Sequence, residues 1–171
     1  MKYDHTNYIL KYWKEIESGK ISTSRKVCTV YKKLAEDVKT KGKYHFDIDR
    51  ATRPIYFIET FCKQSKGAIG KPIKLDLFQK AGIQAAYGFV DKEGIRQYNE
   101  VLWVMGRKNG KSVLLSALGL YMLIGDHEGG AEVDCVASKK DQAKIIFNEA
   151  KNMVSQSPDL SRFIRKRKTD M

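Results

Sequence analysis

The stretch from Val101 to Ile124 restricts the fold more than any other part of this chain. Val101-Leu102-Trp103-Val104-Met105 is an apolar run of strand length. Gly106-Arg107-Lys108-Asn109-Gly110 is polar, with a glycine at each end. Lys111-Ser112 leads into Val113-Leu114-Leu115-Ser116-Ala117-Leu118-Gly119-Leu120-Tyr121-Met122-Leu123-Ile124, which is apolar nearly all round and predicts a buried helix. After a loop at Gly125 to Gly130, Ala131-Glu132-Val133-Asp134-Cys135-Val136-Ala137 alternates at first, as a second strand does. Strands over 98–105 and 131–137, joined by that helix, are expected to pair in parallel through a right-handed crossover.

Strand, loop ending Gly-Lys-Ser, and helix form the context that a phosphate-binding P-loop requires. Gly110 lets successive backbone N–H groups turn into one concavity. The helix opening near Lys111 aims its unpaired N–H groups and the positive end of its dipole at the same point. Lys111 can set an ammonium between the terminal phosphates of a nucleotide, and the Ser112 hydroxyl can ligate the Mg²⁺ that bridges them. One departure stands out. G-x-x-x-x-G-K-[ST] asks for glycine at position 105, where this chain has Met105; Gly106 comes one place late. An ordinary helix N-terminus is the plainer alternative for such a Gly-Lys-Ser.

The chain has 171 residues, enough for a domain with a real core, and 42% are apolar. Its net charge of +12 favours polyanionic partners, nucleic acid above all, with simple solubility as the competing explanation. Cys28, Cys62 and Cys135 are far apart and odd in number, which supports neither a zinc site nor a disulfide framework and fits a reducing cytoplasm. Met1-Lys2-Tyr3-Asp4-His5 lacks the apolar core of a signal peptide, and the apolar run after Ser112 is too short to span a bilayer.

Helices punctuate the rest. Tyr8, Ile9, Tyr12, Trp13 and Ile16 have helical spacing that stops at Ser18-Gly19. Ser22-Thr23-Ser24 can cap a second helix, with Val27, Val30, Tyr31, Leu34 and Val38 inward and lysines on a solvated face. A third begins at Asp47 or Thr52; Pro54 favours the later start, since proline suits a first turn. Asp47 and Asp49 are explained by capping and charge balance rather than catalysis. Asp76 caps a fourth that stops at Gly88, and Asp91 to Gly94 is a hairpin-like connection. Gln79, early in that fourth helix, is by its chemistry either an exposed helical glutamine or an amide able to donate to and accept from an adenine edge. Ser138 caps the helix carrying Ala143, Ile146 and Met153. Ser157 caps a last one with Pro158 first, and a basic run from Arg162 to Lys168 follows.

Together these residues resemble a family. Gly106-Arg107-Lys108-Asn109-Gly110-Lys111-Ser112, with no glycine at 105, looks like the variant Walker A loop of tailed-phage terminase large subunits, the ATPase motors that package DNA into the capsid. Tyr8 to Gly19 resembles the family's opening segment, Leu75 to Gly88 its Leu/Phe-Gln segment, Asp91 to Val101 its approach to the strand, and Ala137 to Ala143 the segment after its second strand. The resemblance implies ATP and Mg²⁺ as ligands. It implies contacts from Gly106, Lys108, Asn109 and Gly110 to phosphate, Lys111 on the β- and γ-phosphates, and Ser112 on Mg²⁺. It places Arg107 beside the γ-phosphate and Gln79 on adenine. Gln142 matches a motif position with no chemistry assigned. Double-stranded DNA, a terminase small subunit and a portal protein are the implied partners, with a homo-oligomeric motor in the full-length protein, in the cytoplasm of a phage-infected or lysogenic host.

The resulting expectation is an α/β fold: a partial P-loop NTPase with a parallel strand–loop–helix–strand core over 74–171, preceded by an N-terminal helical region over 1–73. No apolar strand after the loop ends in the Asp-Glu pair of a Walker B motif, and the family's nuclease domain is missing. The chain therefore reads as the N-terminal portion of such a subunit, from a truncated gene, a prophage remnant or a cut piece, hydrolysing little ATP alone. The alternative is a basic nucleic-acid-binding module with a vestigial P-loop. A third reading is a domain whose N-terminal helices dock a partner subunit.

Overall fold

A computed structural model describes residues 4–164 and divides the chain into two compact units. Met1–Tyr56 with Leu75–Leu102 make the first; Phe57–Lys74 with Trp103–Met171 make the second.

In the first unit α1 (Tyr8–Glu17) packs against both α2 (Arg25–Asp37) and α4 (Leu77–Gly88). Each start follows from a short polar side chain: Asn7 Oδ1 accepts from Leu10 N–H at 2.9 Å, and Ser24 Oγ from Val27 N–H at 3.3 Å. Ile9, Leu34 and Phe89 form the core, with Tyr31, Val38, Phe46, Ala85 and Tyr98 around them. Gln84, wholly buried on α4, accepts from Tyr8 N–H at 2.7 Å and donates Nε2 to the Thr6 carbonyl at 2.9 Å, tying the approach to α1 onto α4. β1 (His45–Phe46) and β2 (Phe89–Val90) form a two-stranded antiparallel sheet, Phe46 opposite Phe89. A Cβ at Gly88 would fall 2.5 Å from the Phe46 ring and 2.8 Å from Ala51 Cβ, so the crossing requires glycine there. The connection at Asp91–Gly94 closes as the sequence predicts, with Gly94 N–H on the Asp91 carbonyl at 3.1 Å.

α3 (Ile48–Phe61) starts at the earlier of the two predicted caps. Asp47 Oδ1 accepts from Asp49 and Arg50 N–H, and Pro54 lies inside the helix rather than in its first turn. An interior proline costs about 3 kcal/mol. Burial of Ala51, Ile55 and Ile58 along one face, with Phe57 buried beside it, outweighs that cost.

The second unit holds α5 (Lys111–Ile124), α6 (Lys140–Gln156) and α7 (Pro158–Phe163). α5 packs on α6, with Leu114, Ala117 and Leu120 of one and Met153 and Val154 of the other buried. Ser116 Oγ donates to the Ile146 carbonyl at 2.8 Å. Ser157 and Pro158 open α7 as read. The N-cap of α6 is Lys139, not Ser138, whose hydroxyl instead meets Gln142 Oε1 at 3.3 Å.

The expected parallel pair is not formed. Residues 101–106 and 131–137 belong to no ladder among the described residues, and Leu102, Val104 and Val136 are 88%, 86% and 91% exposed. Period and apolarity nominate a strand, but a strand exists only when neighbours take its N–H and C=O groups. α5 is likewise not buried all round, since Leu115, Met122, Leu123 and Ile124 remain exposed. Among the described residues no helix is long and apolar enough to cross a membrane. The basic run from 165 to 168 lies outside the described residues.

Candidate functional site

The loop before α5 is a tight turn. Lys108 has φ +66° and Gly110 φ +72°, both left-handed, so the chain folds back between Gly106 and Lys111. A lysine in that region is uncommon and costs about 1–2 kcal/mol, which marks the position as constrained. Asn109 Nδ2 reaches the Gly106 carbonyl at 3.4 Å, and a Cβ on Gly106 would meet that nitrogen at 3.3 Å. Gly110 is the N-cap of α5, and its carbonyl accepts the first helical bond from Leu114 N–H at 2.9 Å.

The side chains complete the turn. Lys111 Nζ donates to the Met105 carbonyl at 2.9 Å and closes the loop from within. Arg107 and Lys108 are exposed, whereas Lys111 and Ser112 are half-buried at the mouth of the helix. The sequence holds no acidic residue between Glu100 and Asp126, and the first turn of α5 has none. An anion there meets helix-start N–H groups and the Lys111 ammonium, and neither the loop nor α5 itself carries an acidic side chain. The residues present therefore fit a phosphate chain, with Ser112 as the hydroxyl available to a metal bound to it.

Met105 explains the departure from the strict motif. Its backbone is not left-handed, so glycine is not required; the reversal is taken by Lys108 and Gly110 instead. What the Met105 position contributes is its carbonyl, a backbone group that residue identity does not reveal.

Gln79 lies in the first unit, the loop in the second. Gln79 is buried at the third position of α4 and completes a capping box with Asp76: its Oε1 accepts from Asp76 N–H at 2.9 Å. The structure thus gathers residues 106–112 into one turn and gives Gln79 a helix-start role that the sequence reading had not assigned. Asp76 with Gln three residues on was its visible signal. Glu149, a buried carboxylate of α6, was also unforeseen; it accepts a short hydrogen bond from Ser65 Oγ and lies 3.9 Å from Lys66 Nζ.

Comparison with known proteins agrees with the sequence pattern. The family model described as "Terminase large subunit, ATPase domain" matches residues 77–171. The large terminase subunit of Enterobacteria phage HK97 is 34% identical over 117 residues, which cover 67% of this chain and 22% of that protein. The terminase large subunit of Lactococcus phage p2 is 25% identical over 138 residues, 77% of this chain and 25% of that one. The crystal structure of the HK97 large terminase superposes with a TM-score of 0.57 at 32% identity, covering 70% of this chain and 24% of that chain. This chain therefore spans about a quarter of the length of these relatives, by the 22% and 25% coverages.

Proposed function

This chain belongs to the terminase large subunit family, and from that premise we propose that it is the ATP-binding part of a viral DNA-packaging motor. The observation that carries the reading is the closed turn at 105–111, with left-handed Gly110 capping α5 and Lys111 folded back over the loop. In this reading Lys111 holds the β- and γ-phosphates. The amides of the Gly106–Ser112 loop cradle them, Ser112 ligates Mg²⁺, and Arg107 stands beside the γ-phosphate. A fixed, delocalised cation there suits the charge that spreads over the equatorial oxygens in phosphoryl transfer. MgATP supplies the phosphoanhydride whose cleavage drives translocation in the whole motor. Gln79 contacts adenine.

The P-loop core spans 74–171, with 98–105 and 131–137 as its strands when neighbouring strands complete their ladders, and 1–73 as the preceding helical region. Double-stranded DNA, the small subunit and the portal are the partners of the whole motor, a homo-oligomer in the host cytoplasm. No strand in this chain ends in Asp-Glu, so we expect the chain by itself to bind nucleotide and to hydrolyse it slowly. The test is calorimetric titration of the 171-residue chain with MgATP. Binding that requires Mg²⁺ and collapses in Lys111→Ala supports the reading. Binding indifferent to both, or none at all, overturns it.

A further inference from the structure

We propose that the hairpin from Lys63 to Lys74 is a surface for the phosphate backbone of duplex DNA, mounted on the same unit as the nucleotide loop. The inference rests on the packaging reading for the identity of the polyanion, and on the hairpin itself for the place.

The segment is built as a projecting arm. Cys62 and Ile73 are buried at its base, where Ile73 N–H meets the Cys62 carbonyl at 3.2 Å. Lys63 pairs with Pro72 as an antiparallel bridge, and Gln64 N–H donates to the Lys71 carbonyl at 2.9 Å. Gly67 and Gly70, at φ +70° and +78°, supply the left-handed residues the tip needs. Ile69 stands at that tip, 61% exposed.

Its charge has one sign. Residues 63–74 carry Lys63, Lys66, Lys71 and Lys74 and no acidic residue. Lys71 and Lys74 are exposed, and the Lys66 side chain is 84% exposed. The carboxylate that faces the arm, Glu149, is almost wholly buried and bonded to Ser65, so it anchors more than it neutralises. Lysine points on α2 are different: Lys33 pairs with Asp37 at 3.3 Å, and Glu36 shares the helix. An arm whose Lys66, Lys71 and Lys74 ammonium groups are exposed, with Lys66 alone near a carboxylate among the described residues, matches a phosphodiester ribbon and reads no base, as a translocating motor requires. Through Glu149 the arm is fixed to α6, and through the Ser116–Ile146 bond α6 is fixed to the helix that the nucleotide loop caps.

The test is anisotropy of a labelled random-sequence duplex over a KCl series, with wild-type chain, a Lys66→Ala/Lys71→Ala/Lys74→Ala variant, and a Lys26→Ala/Lys32→Ala/Lys39→Ala variant of equal net charge. The arm variant is expected to weaken binding roughly tenfold or more and to lower the salt slope by about two to three, near one per lost contact. The second variant, with its lysines on and just after α2, is expected to keep most of the slope. Equal losses in both variants mean a diffuse field and overturn the proposal, as does no loss in either. Loss of poly-glutamate binding with DNA binding intact assigns the arm to an acidic polypeptide and overturns it too. Circular dichroism checks the fold. If the triple variant is unfolded, Lys71→Gln and Lys74→Gln singly carry the same test, each with a slope drop of about one. MgATP titration of the same proteins separates the two readings. Arm-dependent DNA binding without Lys111-dependent ATP binding sinks the nucleotide reading alone, and the reverse sinks the arm alone.

Discussion

The Lys111 ammonium donates to the backbone carbonyl of Met105 at 2.9 Å, across the loop that the two residues bound. An ammonium has three donors, so it can keep this carbonyl and still meet two phosphate oxygens. Lys111→Ala removes the half-buried cation that opens α5. MgATP affinity is expected to fall about 10- to 100-fold, the equivalent of about 1.5–3 kcal/mol for a charge-assisted hydrogen bond. Lys111→Arg is expected not to restore it, because a planar fork cannot occupy the place of a point charge. Calorimetric affinities within twofold across the three proteins would show that the loop does not hold the phosphates.

Gln84 is the buried polar side chain that joins α4 to the residues before α1. Gln84→Leu fills the same space but takes the acceptor from Tyr8 N–H and the donor from the Thr6 carbonyl. Unfolding by urea is expected to show a loss of about 2–3 kcal/mol, the cost of stranding two buried backbone groups. A midpoint equal to wild type would mean that water replaces both bonds.

Thr52 presents the opposite case. Its Oγ1 is buried and has no hydrogen-bond partner among the described residues. Thr52→Val exchanges that hydroxyl for a methyl of similar size. The variant is expected to be more stable by about 1 kcal/mol, since no bond is lost and a desolvation cost is removed. A lower urea midpoint would reveal a partner for the hydroxyl.

These two side chains mark where sequence reading stops. Caps were legible because they are local: Ser24, Asp76 and Ser157 act on backbone within three residues. The turn before α5 was legible because a glycine ahead of a helix start implies a conformation, and Gly110 takes it at φ +72°. Gln84 and Glu149 were not, because each partner lies far along the chain: Tyr8 for one, Ser65 for the other. The strands at 98–105 and 131–137 illustrate the converse. Apolar alternation at Ala131, Val133 and Cys135 is a property of the residues, whereas pairing depends on a neighbour the pattern cannot supply.

Burial pushes the Cys62 thiol up to about 12 from its ordinary 9.0, opposed only weakly by Lys63. The folded chain therefore holds the Cys62 proton more tightly than the unfolded chain does. That contribution to stability is complete below pH 9.0 and is lost progressively as pH rises toward about 12. In the native chain at neutral pH, alkylation is expected at half-buried Cys28 and Cys135 first, with Cys62 modified only on unfolding. Mass spectrometry of the alkylated peptides checks the order; early labelling of Cys62 would contradict its burial.

Gln79 can be made to answer for its two roles separately. As a capping residue it needs only an acceptor, because Oε1 takes the Asp76 N–H. As an adenine contact it needs a donor as well, because an amide bonds a ring nitrogen and the exocyclic amine together. Gln79→Glu retains an acceptor at the third helical position, where glutamate serves a capping box equally well and lies favourably near the positive end of α4. The carboxylate has no donor to offer. If Gln79 reads adenine, this variant is expected to keep its thermal midpoint while MgATP affinity drops about tenfold and its margin over MgGTP narrows. Gln79→Ala is expected to lose both, with stability lower by about 1 kcal/mol. Should Gln79→Glu bind MgATP as wild type does, the side chain serves α4 alone, and adenine recognition must be sought elsewhere in the chain.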